Sequence, residues 1–245
     1  MKSYGQYCPV AKAAEVLGDR WTLLIVRDLI CFRVRHFNDL VRGLPGISRS
    51  LLAQRLEQLE RVGIIERSVG GKGRASEYHL TAAGQQLQPV IDALLGWGAQ
   101  WAFGDPDPAE LDPVLLLWWM RRGTNLDRLP PQRVVVQFDF RGAWIGSDWL
   151  LLEPSDVSVC LQHPGFDIDL LVTADIAAFY QVWLGRVSLA EALRCKSVQL
   201  EGIPALVRAF PTWFALSPAA ERVRQATARV PLQSMTAARA SSSGM

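Results

Sequence analysis

Residues 37–63 of the chain, FNDLVRGLPGISRSLLAQRLEQLERVG, decide the fold of its first hundred residues. The stretch opens with apolar side chains at helical spacing and then turns, because Pro45 lacks a backbone donor and the next glycine permits a tight turn. Ser48 is a good N-cap for a longer helix that runs to about Val62 and stops at a glycine. A short helix, a turn and a longer capped helix follow the order of a helix-turn-helix.

A glycine-rich hairpin is predicted after the longer helix. Residues 64–69 and 76–80 are short extended runs, and Gly70-Gly71-Lys72-Gly73 between them forms the predicted tip. Two apolar stripes at helical spacing precede the helix-turn-helix, and Thr81 is a candidate cap for a last helix that Pro89 would bend. The whole order is that of a winged helix-turn-helix, a fold that binds double-stranded DNA.

The predicted DNA contacts lie on the polar face of the second helix and at the hairpin tip. Arginine suits guanine edges and glutamine suits adenine edges, whereas basic side chains at the tip suit phosphates. Residues 33–74 contain nine basic and four acidic side chains, a net charge of +5. Because this charge lies within the helix-turn-helix and hairpin, a DNA-binding surface is favoured over an ordinary solvated charged surface. Arg55 lies at the margin of the apolar face, where a structural role or a backbone contact is favoured over base reading. The predicted contacts are Ser48, Arg49, Ser50, Gln54, Arg55, Lys72 and Arg74.

Several motifs are spaced along roughly residues 5–100. They are Cys8-Pro9-Val10, Gly18-Asp19-Arg20-Trp21-Thr22, Leu44-Pro45-Gly46-Ile47-Ser48, Leu52, Arg55, Leu56, Leu59, Gly63-Ile64, Tyr78-His79-Leu80-Thr81, Gly84 and Trp97-Gly98. Together these motifs resemble the HxlR family of bacterial transcription regulators. The resemblance implies a homodimeric winged-helix repressor or activator, paired through its first and last helices on a palindromic operator. The hairpin tip departs from the family, which often has a proline there, and this suggests a more mobile wing.

Cys8 matches the N-terminal cysteine that some HxlR-like regulators use as a redox or electrophile sensor. Such a sensor needs an accessible thiolate of low pKa, and Lys12 would help if it lies one helical turn away. The alternative is a small apolar residue at a dimer contact. The four cysteines of the chain have no Cys-x-x-Cys spacing, so we predict neither a disulfide framework nor a zinc site.

Charge and composition divide the 245 residues into two parts. Residues 1–104 contain 13 basic against 9 acidic side chains, a net charge of +4, and the rest contain 13 against 15, a net charge of −2. An acidic, proline-rich stretch at residues 104–108 is the predicted boundary. We therefore predict a DNA-binding and dimerisation domain at 1–103, a ligand-binding domain at 104–217, and a C-terminal helix with a disordered tail at 218–245.

No targeting or membrane segment is predicted. The first residues lack the apolar core of a signal peptide, and the longest apolar run, residues 114–120, is far shorter than the ~20 residues that a membrane span needs. We expect a soluble, cytoplasmic protein.

The second part of the chain has an α+β pattern. Residues 134–140 alternate with a period of two, which predicts a strand. Further strands follow, and helices are predicted over residues 173–185 and 203–214. The order resembles the sterol carrier protein type-2-like fold over roughly residues 110–215, which implies a mixed or antiparallel sheet covered by helices. It also implies an apolar cavity for a hydrophobic small molecule. For any single aromatic residue, a place in an ordinary bulky core is the default interpretation. The candidate lining residues are Trp118, Phe138, Phe140, Trp149, Phe179, Trp183 and Trp213.

Nothing in the sequence favours catalysis, a cofactor or a metal site. The three histidines fall in different predicted elements, and no nucleophile, zinc or phosphate-loop motif occurs. The sequence therefore favours a DNA-binding regulator whose C-terminal domain senses a hydrophobic small molecule. A repressor is favoured over an activator. Two alternatives stay open at this point: a lipid carrier whose N-terminal domain serves dimerisation, and a regulator switched by oxidation of Cys8.

Overall fold

Four helices open the N-terminal unit: α1 (Pro9–Leu17), α2 (Thr22–Cys31), α3 (Phe37–Gly43) and α4 (Arg49–Arg61). The structure, a computed structural model, describes residues 3–68 and 75–229. Ser48 caps α4 as predicted, because its hydroxyl accepts a hydrogen bond from the backbone N–H of Leu51 at 3.2 Å. Gly63 has φ of 75°, the left-handed conformation that commonly follows a helix end.

Strands β1 (Ile65–Ser68) and β2 (Glu77–Leu80) pair in antiparallel register, with Ile65 opposite Leu80. Two helices follow, α5 (Ala82–Gln85) and α6 (Gln88–Trp101), where the sequence predicted one bent helix. That prediction was wrong because Thr81 caps only the short first helix, its hydroxyl accepting from the N–H of Gly84. Pro89 then stands in the first turn of α6, where its missing N–H is not needed.

The core of the N-terminal unit is built around the apolar face of α4. Leu52, Leu56 and Leu59 of α4 are buried, as are Ile25 and Leu29 of α2. This spacing of buried leucines leaves the opposite face of α4 exposed. The helix is therefore held by its apolar stripe and presents its polar side chains outward.

The described chain divides into two compact units between Leu94 and Leu95, inside α6. The boundary predicted after residue 103 lies just beyond that helix and stays a prediction. Asp107, Pro108 and Glu110 have the sequence pattern of a helix start, which predicts a helix from Pro108. Asp107 and Glu110 do form a capping box, but it starts only a single 3-10 turn. The next helix begins five residues later than expected and is capped by Asp112, which accepts from two backbone N–H groups.

The C-terminal unit is a five-stranded mixed sheet with helices, which agrees with the predicted α+β class. The strands are in the order β5-β4-β3-β6-β7; β3 and β6 are parallel and the other pairs antiparallel. The elements are α7 (Pro113–Arg122), β3 (Val134–Arg141), β4 (Gly146–Glu153), β5 (Asp156–Cys160), β6 (Leu170–Asp175), α8 (Ile176–Trp183), α9 (Leu189–Arg194), β7 (Val198–Gly202), α10 (Pro204–Ala209) and α11 (Ala220–Arg229).

One face of the sheet packs against helices and the other does not bury its side chains completely. Phe138 and Phe140 of β3 are buried, and both rings contact Phe179 of α8 edge-on, with centroids 5.8 and 5.7 Å away. Gln137 and Asp139, which flank Phe138 in sequence, lie on the other face and are half-buried. The period of two that predicted this strand therefore also separates its two faces.

Two helices of the C-terminal unit are shorter than predicted. The helix expected over residues 203–214 ends at Ala209 and continues only as a 3-10 turn that contains Pro211. The helix expected over residues 173–185 begins at Ile176, because the preceding residues belong to β6. The predicted disordered tail falls mostly on residues 230–245, which lie outside the described residues.

Candidate functional site

The outward face of α4 is the candidate nucleic-acid interface. Ser48, Arg49, Ser50 and Gln54 are all exposed, and the last two lie one helical turn apart. The side chain of Gln54 makes no hydrogen bond to any residue that the structure describes. Its amide can therefore donate to and accept from a base edge without first breaking a contact.

Arg49 is exposed but is held against α3. Its Nη2 donates to Oδ1 of Asn38 at 2.8 Å, and its guanidinium carbon lies 5.0 Å from the ring centre of Phe37. A base contact by Arg49 would require the guanidinium to leave Asn38. The hydroxyl of Ser48 is also in use, since it caps α4 and lies 3.1 Å from that of Ser50.

Arg55 belongs to an ion pair inside the unit. Its Nη1 contacts Oδ2 of Asp19, in the connection between α1 and α2, and donates to Oε1 of Gln58 at 2.8 Å. Gln58 in turn donates to Asp19 at 3.3 Å. The structure thus places Arg55 away from the outward face and gives it the contacts of a structural residue.

The hairpin contributes a basic side chain that the sequence analysis did not single out. Arg67 of β1 is exposed, donates to the hydroxyl of Ser76 at 3.1 Å and lies over the ring of Tyr78. The predicted tip contacts, Lys72 and Arg74, lie outside the described residues. Arg67 is one of the nine basic residues of the region 33–74. Its position on a paired strand, with the side chain exposed, became evident only from the structure.

Cys8 lies immediately before α1 and is half-buried. Lys12, expected to favour its thiolate, instead places its Nζ 3.1 Å from both carboxylate oxygens of Glu15. Glu15 also accepts from the backbone N–H of Tyr4 and the hydroxyl of Ser3, and these hydrogen bonds lower the pKa of the carboxyl. The ammonium group of Lys12 is therefore paired with the carboxylate of Glu15 and not with the thiol of Cys8.

The C-terminal unit contains an apolar pocket of about 420 Å³. Of the predicted lining residues, Phe179 and Trp183 line it. Trp118, Phe138, Phe140 and Trp213 do not line this pocket and are buried. The full lining is Met120, Phe179, Val182, Trp183, Gly185, Val187, Ser188, Leu189, Phe210, Pro211, Phe214, Ala215, Leu216 and Arg224.

Trp149 lies on the opposite face of the sheet. It pairs across strands with Gln137, to whose Oε1 its indole N–H donates at 3.1 Å. Phe138, the next residue along β3, projects to the helix-covered face, so the two aromatic residues cannot line one cavity. Phe210 and Phe214 line the pocket from the segment after α10, and the sequence pattern did not predict this role for them.

The family model of the HxlR-like helix-turn-helix matches residues 16–105. The HTH-type transcriptional regulator YvaP of Bacillus subtilis is 34% identical over 109 residues, which are 44% of this chain and 96% of that protein. This chain belongs to the HxlR-like family. The regulator sll1512 of Synechocystis sp. is 38% identical over 98 residues, 40% of this chain and 72% of its own length. The regulator Rv3095 of Mycobacterium tuberculosis is 42% identical over 93 residues, 38% of this chain and 58% of its own length.

The HxlR-like match contains the whole candidate interface, from α2 through α6, and the apolar pocket lies outside it. In the part of the chain that the structure describes, no group of three histidine, cysteine or acidic side chains is arranged to hold a metal ion. Among those same residues, no helix is both long and apolar enough to cross a membrane.

Proposed function

We propose that this HxlR-like protein is a homodimeric, sequence-specific DNA-binding regulator that acts as a repressor. The observation that supports this most is the outward face of α4, which is polar, capped by Ser48 and held from behind by three buried leucines. A helix presented in this way can enter the major groove with its first turns against base edges. The HTH-type regulators that this chain resembles support the same role.

In this proposal, different side chains position the protein and read the sequence. Gln54 forms a bidentate contact with adenine, and Arg49 exchanges its bond with Asn38 for a guanine edge. Arg67 and the predicted tip residues Lys72 and Arg74 neutralise phosphates, which gives affinity without sequence preference.

The dimer is proposed to form through α6 together with α1. Along α6, Val90, Leu94, Trp97 and Trp101 are spaced at helical intervals and are all exposed, Trp97 by 58%. Such a row of exposed apolar side chains is typical of an interaction surface. Two-fold pairing of two α4 helices would require a palindromic operator with half-sites about one DNA turn apart.

The C-terminal unit is proposed to be a sterol-carrier-like sensor of a hydrophobic small molecule. Its mixed sheet with helices on one face and its apolar pocket support this role. Ligand binding would favour one arrangement of the two α4 helices over another and so change operator affinity. The affinity of the ligand for the two arrangements must differ by several kcal/mol to release most of the bound protein.

Fluorescence anisotropy tests the DNA-binding proposal. The full-length protein is titrated onto a duplex from its own upstream region and onto a scrambled duplex, each at two salt concentrations. We expect tighter binding to the first duplex and affinity that falls steeply with salt. Gln54→Ala should weaken specific binding by about tenfold, whereas the exposed control Gln86→Ala should not. Equal binding to both duplexes would contradict the proposal, and activation of transcription in vitro would overturn the repressor assignment.

A second candidate function is a lipid carrier, which the apolar pocket favours. It predicts tight binding of lipid by a protein whose weak duplex binding shows no preference for the upstream sequence.

A third candidate function, regulation by oxidation of Cys8, rests on the half-buried thiol before α1. If oxidants release DNA from Cys8→Ser as readily as from the wild type, that idea is excluded.

A further inference from the structure

One charged side chain stands at the apolar pocket of the C-terminal unit. Of the described residues that line the pocket, Arg224 of α11 is the single charged one, and it is exposed to solvent. The remaining lining is mainly aromatic and aliphatic, from α8 and from the segment that follows α10. The pocket is therefore apolar along its walls and positively charged at one place.

The position of this guanidinium depends on Gly185. That residue has φ of 71°, which L side chains rarely adopt, and it follows Leu184, the C-cap of α8. A Cβ atom placed on it would lie 2.9 Å from Nη1 of Arg224 and 3.1 Å from Cβ of Ala220. Glycine thus lets α11 and its arginine approach the backbone at the end of α8.

Arg224 is also not neutralised by any carboxylate among the described residues of its unit. No ion pair joins it to a carboxylate among the residues that the structure describes. Glu221, one turn earlier on α11, accepts a hydrogen bond from Nε2 of Gln225 at 3.1 Å instead. The guanidinium therefore keeps its donors available for an oxyanion at the pocket.

We infer that the pocket binds an anionic amphiphile, a single hydrocarbon chain with an oxyanion head group that Arg224 holds. This inference rests on the sensing role proposed above and names the chemical class of the ligand. A volume of about 420 Å³ suits a small molecule, and the aromatic walls at Phe179, Trp183 and Phe214 suit its chain. The planar guanidinium matches a carboxylate or phosphate head group with two parallel hydrogen bonds.

Calorimetric titration of the full-length protein, below the micelle concentration, tests the inference. Decanoate, decanol and decylamine share one chain and differ in the charge of the head group. We expect decanoate to bind most tightly and decylamine most weakly. Arg224→Gln should weaken decanoate binding by roughly tenfold and leave decanol binding unchanged. Arg222→Gln removes an exposed charge from the same helix, away from the pocket lining, and should change neither.

The outcomes separate this inference from the proposed function. Equal binding of decanoate and decanol, or decanoate binding that survives Arg224→Gln, would overturn anion recognition and leave apolar sensing possible. Absence of decanoate binding to the wild type would overturn the inference as well. The anisotropy assay with saturating decanoate is read separately, because binding that leaves operator affinity unchanged would overturn the sensing role but not the ligand class.

Discussion

Arg55 of α4 forms an ion pair with Asp19, which lies 36 residues earlier between α1 and α2. The contact fixes the proposed DNA-reading helix to the N-terminal helices of the same unit. Both side chains are partly exposed, by 21% and 34%, so solvent screens the pair and its contribution to stability is modest.

Removing this ion pair should lower the free energy of unfolding without changing the contacts that the protein makes with DNA. A double-mutant cycle of Asp19→Asn and Arg55→Gln, measured by urea unfolding, should give a coupling energy of about 1 kcal/mol. The salt dependence of duplex binding should be the same for Arg55→Gln and the wild type, because no phosphate contact is lost. A salt slope lower by about one would instead show that Arg55 leaves Asp19 and contacts the DNA backbone.

Asp148 of β4 provides a prediction about pH. Its side chain is buried, and its Oδ2 has no hydrogen-bond partner among the described residues. Burial, and to a lesser extent the charge of Asp112, raise the pKa of this carboxyl above its ordinary value of 3.8. The folded state therefore binds a proton more readily than the unfolded state, and this group costs stability as the pH rises past 3.8.

Asp148→Asn removes that cost because the amide carries no charge. We expect it to raise the free energy of unfolding at neutral pH by about 1 kcal/mol, and the gain to disappear in acid, where the wild-type carboxyl is protonated. Urea unfolding at several pH values measures this difference. The exposed control Asp167→Asn should show no such trend, and a destabilised Asp148→Asn at neutral pH would show that the carboxylate has a favourable partner.

The helix ends show how much of the fold local sequence can predict. Ser48 and Gly63 delimit α4 as expected, because a cap and a left-handed glycine act on the backbone next to them. The same reasoning failed near Thr81, where it predicted one bent helix. Thr81 caps one helix, and the proline eight residues later lies in the first turn of a second helix. Local signals mark possible helix starts, but packing decides which of them join.

Helical periodicity predicted which side chains of α4 are exposed at the candidate site, but not what those side chains contact. Helical winding separated the outward face of α4 from its buried face correctly. It did not show that Arg49 and Arg55 are held by Asn38 and Asp19, because those partners come from other elements. Aromatic composition likewise did not show that Trp149 faces away from the helices, since strand boundaries and register determine this.

The exposed apolar row on α6 predicts that one tryptophan contributes strongly to dimerisation. Replacing Trp97 with serine should weaken self-association by about thirtyfold or more, as for a central interface aromatic residue. Sedimentation equilibrium measures this change, and affinity for a palindromic duplex should fall with it. Ile145→Ser, at an exposed apolar residue between β3 and β4, is the control. If both variants associate as the wild type does, α6 is not the dimer interface.

Two glycines with similar positive φ angles distinguish the effect of backbone strain from that of a side-chain contact at the apolar pocket. Gly185 and Gly165 have φ of 71° and 83°, but a Cβ on Gly165 would meet nothing within 4 Å. Alanine at either position should therefore cost about 1 kcal/mol of stability through backbone strain. Only Gly185→Ala should also displace the guanidinium of Arg224 and weaken decanoate binding, because only there does the new methyl group meet Nη1. Urea unfolding and calorimetry on both variants measure the two effects separately. Equal loss of decanoate affinity in both variants would mean that general destabilisation, rather than the position of Arg224, governs the pocket.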